Sequence, residues 1–361
     1  MNSTRRDVII IGAGLAGLNA AIGFRKRGFS VALFEQGQFP MHKVCGEYLS
    51  LESWNHLVSR VPELASLDLP VIDQLMLSLD SGQVLKSKLP LGGIGISRFV
   101  LDHLLVQTAK TMGVEVFEAT KVQDWQYDQV KDSFQVNSLQ GEYEAKLLVG
   151  AFGKRSNMDR IMNRKFRNKP VPYMAVKYHV NYPIEKNQIA LHQFKNGYCG
   201  ISAVEEGKAC LCYLAKSEEV KKAGGIPAFE QKVMHQNPYL KEIWEKATFL
   251  WDKPLSIAGF AFYPKSIIDD NVPMIGDAAG IIPPLAGNGM SMAIHASELL
   301  VSTYSPMLEG KETRGEVERR YMGLWNATFS RRLSVGRLLQ YFFEKEWLMK
   351  ALMFSLNPLP F

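Results

Sequence analysis

Val8-Ile9-Ile10-Ile11-Gly12-Ala13-Gly14-Leu15-Ala16-Gly17 decides the reading of this chain. Four consecutive β-branched apolar residues predict a strand buried on both faces of a parallel sheet. The strand runs directly into G-x-G-x-x-G and then a helical pattern from Leu15 to Arg27, closed by Gly28. Gly12 permits the tight turn, Gly14 lets a pyrophosphate approach the backbone, and Gly17 lets helix and strand pack closely. Leu15 and Ala16 open the helix, whose unpaired N–H groups face the phosphates. A second apolar strand, Val31 to Phe34, ends at Glu35, 23 positions beyond Gly12. A carboxylate there suits a ribose 2′-hydroxyl and disfavours a 2′-phosphate.

Far along the chain, the apolar run Val272 to Ile275 leads into Gly276-Asp277-Ala278-Ala279-Gly280, followed by Gly287-Asn288-Gly289-Met290. Two glycine-rich turns at opposite ends of the sequence point to one large dinucleotide, FAD, held from both ends. The chain between them is rich in strands. Residues 71–90 alternate like a hairpin around Asp80-Ser81-Gly82, and Ser97 is a good N-cap for a helix. Strand patterns then recur from Val114 to Ala151 and from Tyr173 to Trp251, with helices between Glu218 and Ala247. Past Gly287 the pattern is helical almost to Leu352. The expected fold class is therefore α/β: a Rossmann-like FAD-binding domain, an inserted antiparallel β-sheet substrate domain, and C-terminal helices. Residues 1–70, 96–170 and 255–305 are expected in the first, 71–95 and 171–254 in the second, and 306–361 in the helical region.

Composition narrows the class. The chain has 361 residues, 47% of them hydrophobic, without a run of 18 apolar residues that would cross a bilayer. Arg5-Arg6 ahead of an apolar run looks like an export signal, but glycines at nucleotide-loop spacing interrupt that run. The net charge is +6, with the densest basic group between Lys154 and Lys169. That group suits a solvated face, an anionic substrate or a membrane surface. Aromatic residues do not interleave with it, which excludes a nucleic-acid platform. Cys45, Cys199, Cys210 and Cys212 form neither a disulfide framework nor a zinc ligand set, so a reducing cytoplasm is the expected setting and no metal is expected.

With these motifs in place, the chain resembles the flavoprotein hydroxylase superfamily of p-hydroxybenzoate-hydroxylase-like fold, and within it the geranylgeranyl reductase branch. That branch is related to flavin-dependent monooxygenases and halogenases. The resemblance rests on the N-terminal loop with Glu35, Cys45-Gly46-Glu47, Arg98 opening its helix, Gly150-Ala151-x-Gly153-x-x-Ser156, and the Gly276-Asp277 segment. It implies that Asp277 binds the ribityl chain and that Pro283, Gly287, Asn288, Gly289 and Met290 border the flavin ring. It places Arg98 near the ribityl or pyrophosphate region and assigns Val122 and Gly153 to the cofactor's surroundings. Cys45 falls where the branch has a Cys-Gly-Gly-like turn near the isoalloxazine, and Glu47 adds a titratable group. Either is a candidate acid, while Cys45 also suits simple packing.

Two departures bear on function. Phe152 stands where the superfamily's hydroxylases carry an aspartate associated with flavin and NAD(P)H. The electron donor is thus NAD(P)H or a separate reductase, the second being easier to accept. The tryptophan motif of the tryptophan-type halogenases is missing around Tyr198. An aromatic and apolar set (Tyr173, Met174, Tyr178, Phe194, Tyr198, Phe260, Phe262, Tyr263), with His179 and His192, suits either a substrate pocket or sheet core. The C-terminal arginines Arg331, Arg332 and Arg337 alternate with apolar residues, a pattern for packing or for peripheral membrane contact.

The expected activity is FAD-dependent reduction of a carbon–carbon double bond in an apolar, isoprenoid or polyketide-like molecule, with Cys45 or Glu47 supplying the proton. Monooxygenation of an aromatic substrate is the alternative. Halogenation and a non-catalytic prenyl carrier, like Rab GDP-dissociation inhibitors, come after it.

Overall fold

The Val8–Ile11 run lies near the middle of a six-stranded sheet, as a strand apolar on both faces must. The computed structural model describes residues 4–345 and 348–350, so Trp347, Leu352 and the 357–361 tail fall outside it. The strands in chain order are β1 (Thr4–Ile11), β2 (Val31–Phe34), β3 (Tyr48–Ser50), β4 (Val71–Ser78), β5 (Val84–Gly95), β6 (Glu115–Phe117), β7 (Val122–Asp128), β8 (Ser133–Ser138) and β9 (Gly141–Gly150). They continue with β10 (Tyr173–Asn181), β11 (Gln188–Phe194), β12 (Gly197–Ala203), β13 (Ala209–Lys216), β14 (Thr248–Phe249), β15 (Leu255–Phe260), β16 (Ile268–Asp269) and β17 (Val272–Pro273). The helices are α1 (Leu15–Lys26), α2 (Trp54–Arg60), α3 (Arg98–Thr111), α4 (Met158–Ile161), α5 (Ser217–Ala223), α6 (Ile226–Lys232), α7 (Pro238–Lys246), α8 (Gly289–Leu308) and α9 (Arg314–Phe343).

The first sheet has the order β6-β2-β1-β9-β8-β7. Its β6, β2, β1 and β9 run parallel, and β8 and β7 add an antiparallel meander. Helices α1, α3 and α8 pack together beside it. Val8, Ile9, Ile10 and most of α1 are buried. The second sheet has the order β14-β10-β13-β12-β11-β4-β5-β3, with β15 pairing β10. All its pairings are antiparallel except β4 with β11. β3 and β15, placed by sequence pattern in the nucleotide-binding segments, are thus hydrogen-bonded into the inserted sheet.

The expected Val272–Ile275 strand shrinks to β17, because Pro273 cannot donate to a ladder. Met274 instead makes a parallel bridge to Gly150, and Ile275 N donates to Gly150 O at 3.0 Å. That bond carries the late Gly276-Asp277 turn to the end of β9, beside the early glycine loop.

Period-two alternation gives the second sheet two unlike faces. Met174, Val176, Tyr178, Phe194, Cys199 and Tyr213 lie in a core that continues into α6 and α7. Ala175, Tyr198, Leu214, Phe260 and Phe262 form another cluster with Ile281, Leu285 and Val44. The second face is therefore the one turned to the Cys45 segment and the loop before α8.

Candidate functional site

The glycine loop is shaped by close approach. Gly12 has φ +104, and a Cβ there would stand 2.4 Å from the Ala151 carbonyl oxygen. A Cβ on Gly17 would stand 1.9 Å from Gly12 O. Neither position admits a side chain. Gly14 differs: the nearest atom to its added Cβ is Nη2 of Arg98, 4.0 Å away. Gly14 is the N-cap of α1 without a side-chain cap, so the first N–H groups of Leu15 and Ala16 open towards this space. Such an N-terminus is an anion site.

Glu35 lies at the edge of the loop. Its Oε2 accepts from Ala13 N at 2.9 Å and its Oε1 from Gly37 N at 3.0 Å. Each oxygen retains a lone pair for a sugar hydroxyl. Thr120 N donates to Glu35 O at 2.8 Å, which brings the start of β7, including Val122, alongside.

A second helix N-terminus converges on the first. A Cβ on Gly276 (φ +61) would lie 2.9 Å from Ala16 Cβ, so the Gly276-Asp277 turn packs on the first turn of α1. Gly287 is left-handed at φ +62, and Asn288 caps α8 without a side-chain hydrogen bond. Gly289 and Met290 therefore present unpaired N–H groups, as the Gly14 turn does. Pro283 is buried where Gly336 of α9 meets it. Asp277 faces Lys154 Nζ at 3.8 Å. Gly153, at φ +80, turns in open space, while Phe152 is a partly buried residue packed on the core. Two helix N-termini, a ribose-type carboxylate and a glycine cradle on one side of the sheet fit an extended dinucleotide.

Arg98 is held rather than loose. Its Nε and Nη2 grip Asp102 at 2.7 Å each, and Lys43 joins Asp102 at 3.5 Å. Burial opposes the guanidinium charge, and Asp102 more than offsets it, leaving Arg98 firmly protonated. Asp102, fully buried, escaped sequence reading; its place one turn after Arg98 was the available signal.

Glu47 carries the densest polar contacts. It is fully buried and has φ +57, a conformation that costs a non-glycine residue about 1 kcal/mol or more. Lys177 Nζ lies 2.5 Å from its Oε1, Arg98 N donates to that oxygen at 2.7 Å, and His179 Nε2 meets Oε2 at 2.6 Å. Burial would raise the Glu47 pKa; the His179 hydrogen bond and the Lys177 charge outweigh it and hold the carboxyl below its usual range. Burial also opposes charge on Lys177, but the Glu47 carboxylate keeps it protonated. A carboxylate so held has no proton to give at neutral pH. Lys177 and His179 occupy alternate positions of β10 and share the face turned to the Cys45 segment. Sequence reading passed over Lys177, whose only signal was a charged residue inside an otherwise apolar strand.

Cys45 is half-buried beside this group, its Sγ accepting from Glu47 N at 3.4 Å. The Cys210 thiol donates to Cys45 O at 3.3 Å. Burial pushes Cys210 well up and Cys212 to about 12, so both stay neutral thiols. His42, Glu47 and His179 bring one ligand atom each within 4.8 Å of one another. The Lys177 ammonium already occupies Glu47 and repels a second cation, so the geometry is that of an ion-pair network rather than a metal centre.

The candidate pocket residues divide by face. Tyr173, Tyr198, Phe260 and Phe262 belong to the cluster shared with Ile281 and Leu285. Met174, Tyr178 and Phe194 lie in the core behind the sheet. His192 is also structural, with Nδ1 2.8 Å from Ser78 Oγ and its ring stacked on Tyr239. His179 is the histidine that joins the site.

Comparison with known proteins places this geometry. The family described as FAD binding domain matches residues 94–318, and a second FAD binding domain description matches residues 7–45. The chain is 26% identical to Conditioned medium factor receptor 1 of Dictyostelium discoideum, over 93% of this chain and 70% of that protein. It is 21% identical to Digeranylgeranylglycerophospholipid reductase 2 of Methanopyrus kandleri, over 90% of this chain and 83% of that one. The solved structure of PqsL, a probable FAD-dependent monooxygenase from Pseudomonas aeruginosa, superposes with a TM-score of 0.76 at 18% identity. That likeness covers 97% of this chain and 100% of PqsL and speaks for the fold.

Proposed function

The chain belongs to the FAD binding domain family and is an FAD-dependent oxidoreductase; on that premise we propose that it reduces carbon–carbon double bonds of an apolar, isoprenoid or polyketide-like molecule. The observation that carries this reading is the contrast across one sheet face. Ala175, Leu214, Tyr198, Phe260 and Phe262 meet Ile281 and Leu285 of the flavin loop in an apolar cluster. At its margin stands the buried Lys177–Glu47–His179 group. An apolar surface of this kind suits an apolar substrate, and the buried ion-pair group fixes the Cys45 segment beside it. The Methanopyrus kandleri relative, a digeranylgeranylglycerophospholipid reductase by name, agrees with an isoprenoid substrate.

FAD, when bound, supplies the two-electron chemistry. The N–H groups of α1 and α8 would bind its negatively charged regions and Glu35 and Asp277 would hold its sugar hydroxyls, while Arg98 faces the space before Gly14. Glu47 and Lys177 neutralise each other as a buried ion pair beside Cys45. Cys45, beside Glu47 and only half-buried, delivers a proton to the reacting carbon and regains it from solvent. Phe152 leaves the pyridine-nucleotide position without a charge, which suits delivery of electrons by a separate reductase.

The test is product analysis. Protein reduced with dithionite under nitrogen is incubated with a geranylgeranyl lipid and the product is weighed by mass spectrometry. Gain of hydrogen pairs supports the reading. An unchanged alkene under nitrogen, with an added oxygen atom once air is admitted, would replace it with monooxygenation.

A further inference from the structure

Helix α9 presents an unusual outer face. Its inner side is ordinary core: Val317, Tyr321, Trp325, Phe329, Leu333 and Phe343 are buried. The outer side of its second half is apolar as well. Val335 is 47% exposed, Leu338 55%, Leu339 44% and Tyr341 56%, with Phe342 beside them. Single exposed apolar residues need no explanation, whereas a contiguous strip marks a contact surface.

Charge identifies the contact. Between Glu318 and Glu344, α9 carries five arginines and not one acid. Arg331 is exposed and Arg337 half-buried among the apolar residues. Among the described residues neither is in an ion pair; Arg337 meets only Ser334 Oγ, at 3.0 Å. Apolar side chains flanked by unpaired arginines match the acyl boundary and anionic headgroups of a lipid surface. A cleft of about 360 Å³ continues inward from the strip, lined by Arg331, Arg332, Val335 and Leu339 on one wall and Ile282 and Asn288 on the other. We propose that the second half of α9 docks on an anionic phospholipid bilayer, with this cleft opening from the lipid surface towards the loop before α8. No helix among the described residues is long and apolar enough to cross a membrane.

The surface is independent of the reaction proposed above and is tested separately. Full-length, flavin-loaded protein is sedimented with vesicles of phosphatidylcholine alone or mixed with phosphatidylglycerol. Co-sedimentation with the mixed vesicles, weak with the neutral ones and falling as salt rises, is expected. The pairs Arg331→Gln with Arg337→Gln and Leu338→Ser with Tyr341→Ser should each weaken it at least tenfold while flavin absorbance and melting temperature hold. Absence of binding to mixed vesicles, equal binding to both kinds, or variants that bind like the wild type would overturn the proposal. So would light scattering showing that either pair converts a dimer to a monomer, since the strip would then bind a second copy of the chain.

Discussion

The carboxylate of Glu47 and the ammonium of Lys177 stand 2.5 Å apart, both fully buried, although 130 positions separate them in sequence. The contact joins the Cys45-Gly46-Glu47 segment to the centre of the inserted sheet. A buried ion pair gains little over well-packed apolar groups, but breaking it by removing one partner costs about 3–5 kcal/mol. Glu47→Gln should therefore destabilise the protein by roughly that amount in urea unfolding. Glu47→Gln combined with Lys177→Met should recover much of the loss. A double variant no more stable than the single one would show that the pair does not hold the two segments together.

The glycines of the first loop should separate into two kinds. Gly17→Ala drives a methyl against Gly12 O and should yield protein that folds poorly and carries no flavin. Gly14→Ala meets open space, so its melting temperature should stay near wild type. Its FAD affinity should fall by tenfold or more, because the methyl projects into the space before α1. Thermal melts and flavin titrations of both variants check the contrast.

Glu35→Ala removes the acceptor for two backbone N–H groups and the proposed sugar partner together. FAD affinity should drop about 100-fold, on the order of 2–3 kcal/mol. Glu35→Gln keeps one acceptor oxygen and should fall between the two. Equilibrium dialysis against FAD separates these outcomes.

Acid should loosen the inserted sheet through His192. Burial lowers its pKa to about 4 from an ordinary 6.5. Between those values the unfolded chain takes up a proton that the folded chain refuses, so stability is full above pH 6.5 and declines as pH falls towards 4. The loss should reach on the order of 3 kcal/mol. His192→Asn, which keeps a hydrogen-bonding group for Ser78, should flatten this part of the stability–pH curve. A curve parallel to wild type would assign the decline to other groups.

Much of the nucleotide-binding half was legible because its signals are local. The apolar run Val8–Ile11, the three glycines and Glu35 follow one another at spacings that backbone geometry imposes. Helix α3 began where Ser97 said it would, with Ser97 Oγ accepting from Val100 N at 3.1 Å. The Glu47 group was not legible in the same way. Lys177 and His179 approach Glu47 only through sheet register and the packing of β10 on the Cys45 segment, contacts that short-range pattern does not encode. The aromatic set shows the same limit. Sequence named Tyr173 and Met174 together, and strand parity sent them to opposite faces.

The central claim is that electrons pass from reduced flavin to an alkene without oxygen. Rapid-scan absorbance of the dithionite-reduced protein mixed anaerobically with a geranylgeranyl lipid tests it most directly. The account predicts that oxidised-flavin absorbance returns at a rate that rises with lipid concentration under nitrogen, and more slowly in Cys45→Ala. Flavin that stays reduced until oxygen is admitted, whatever the lipid concentration, would contradict it.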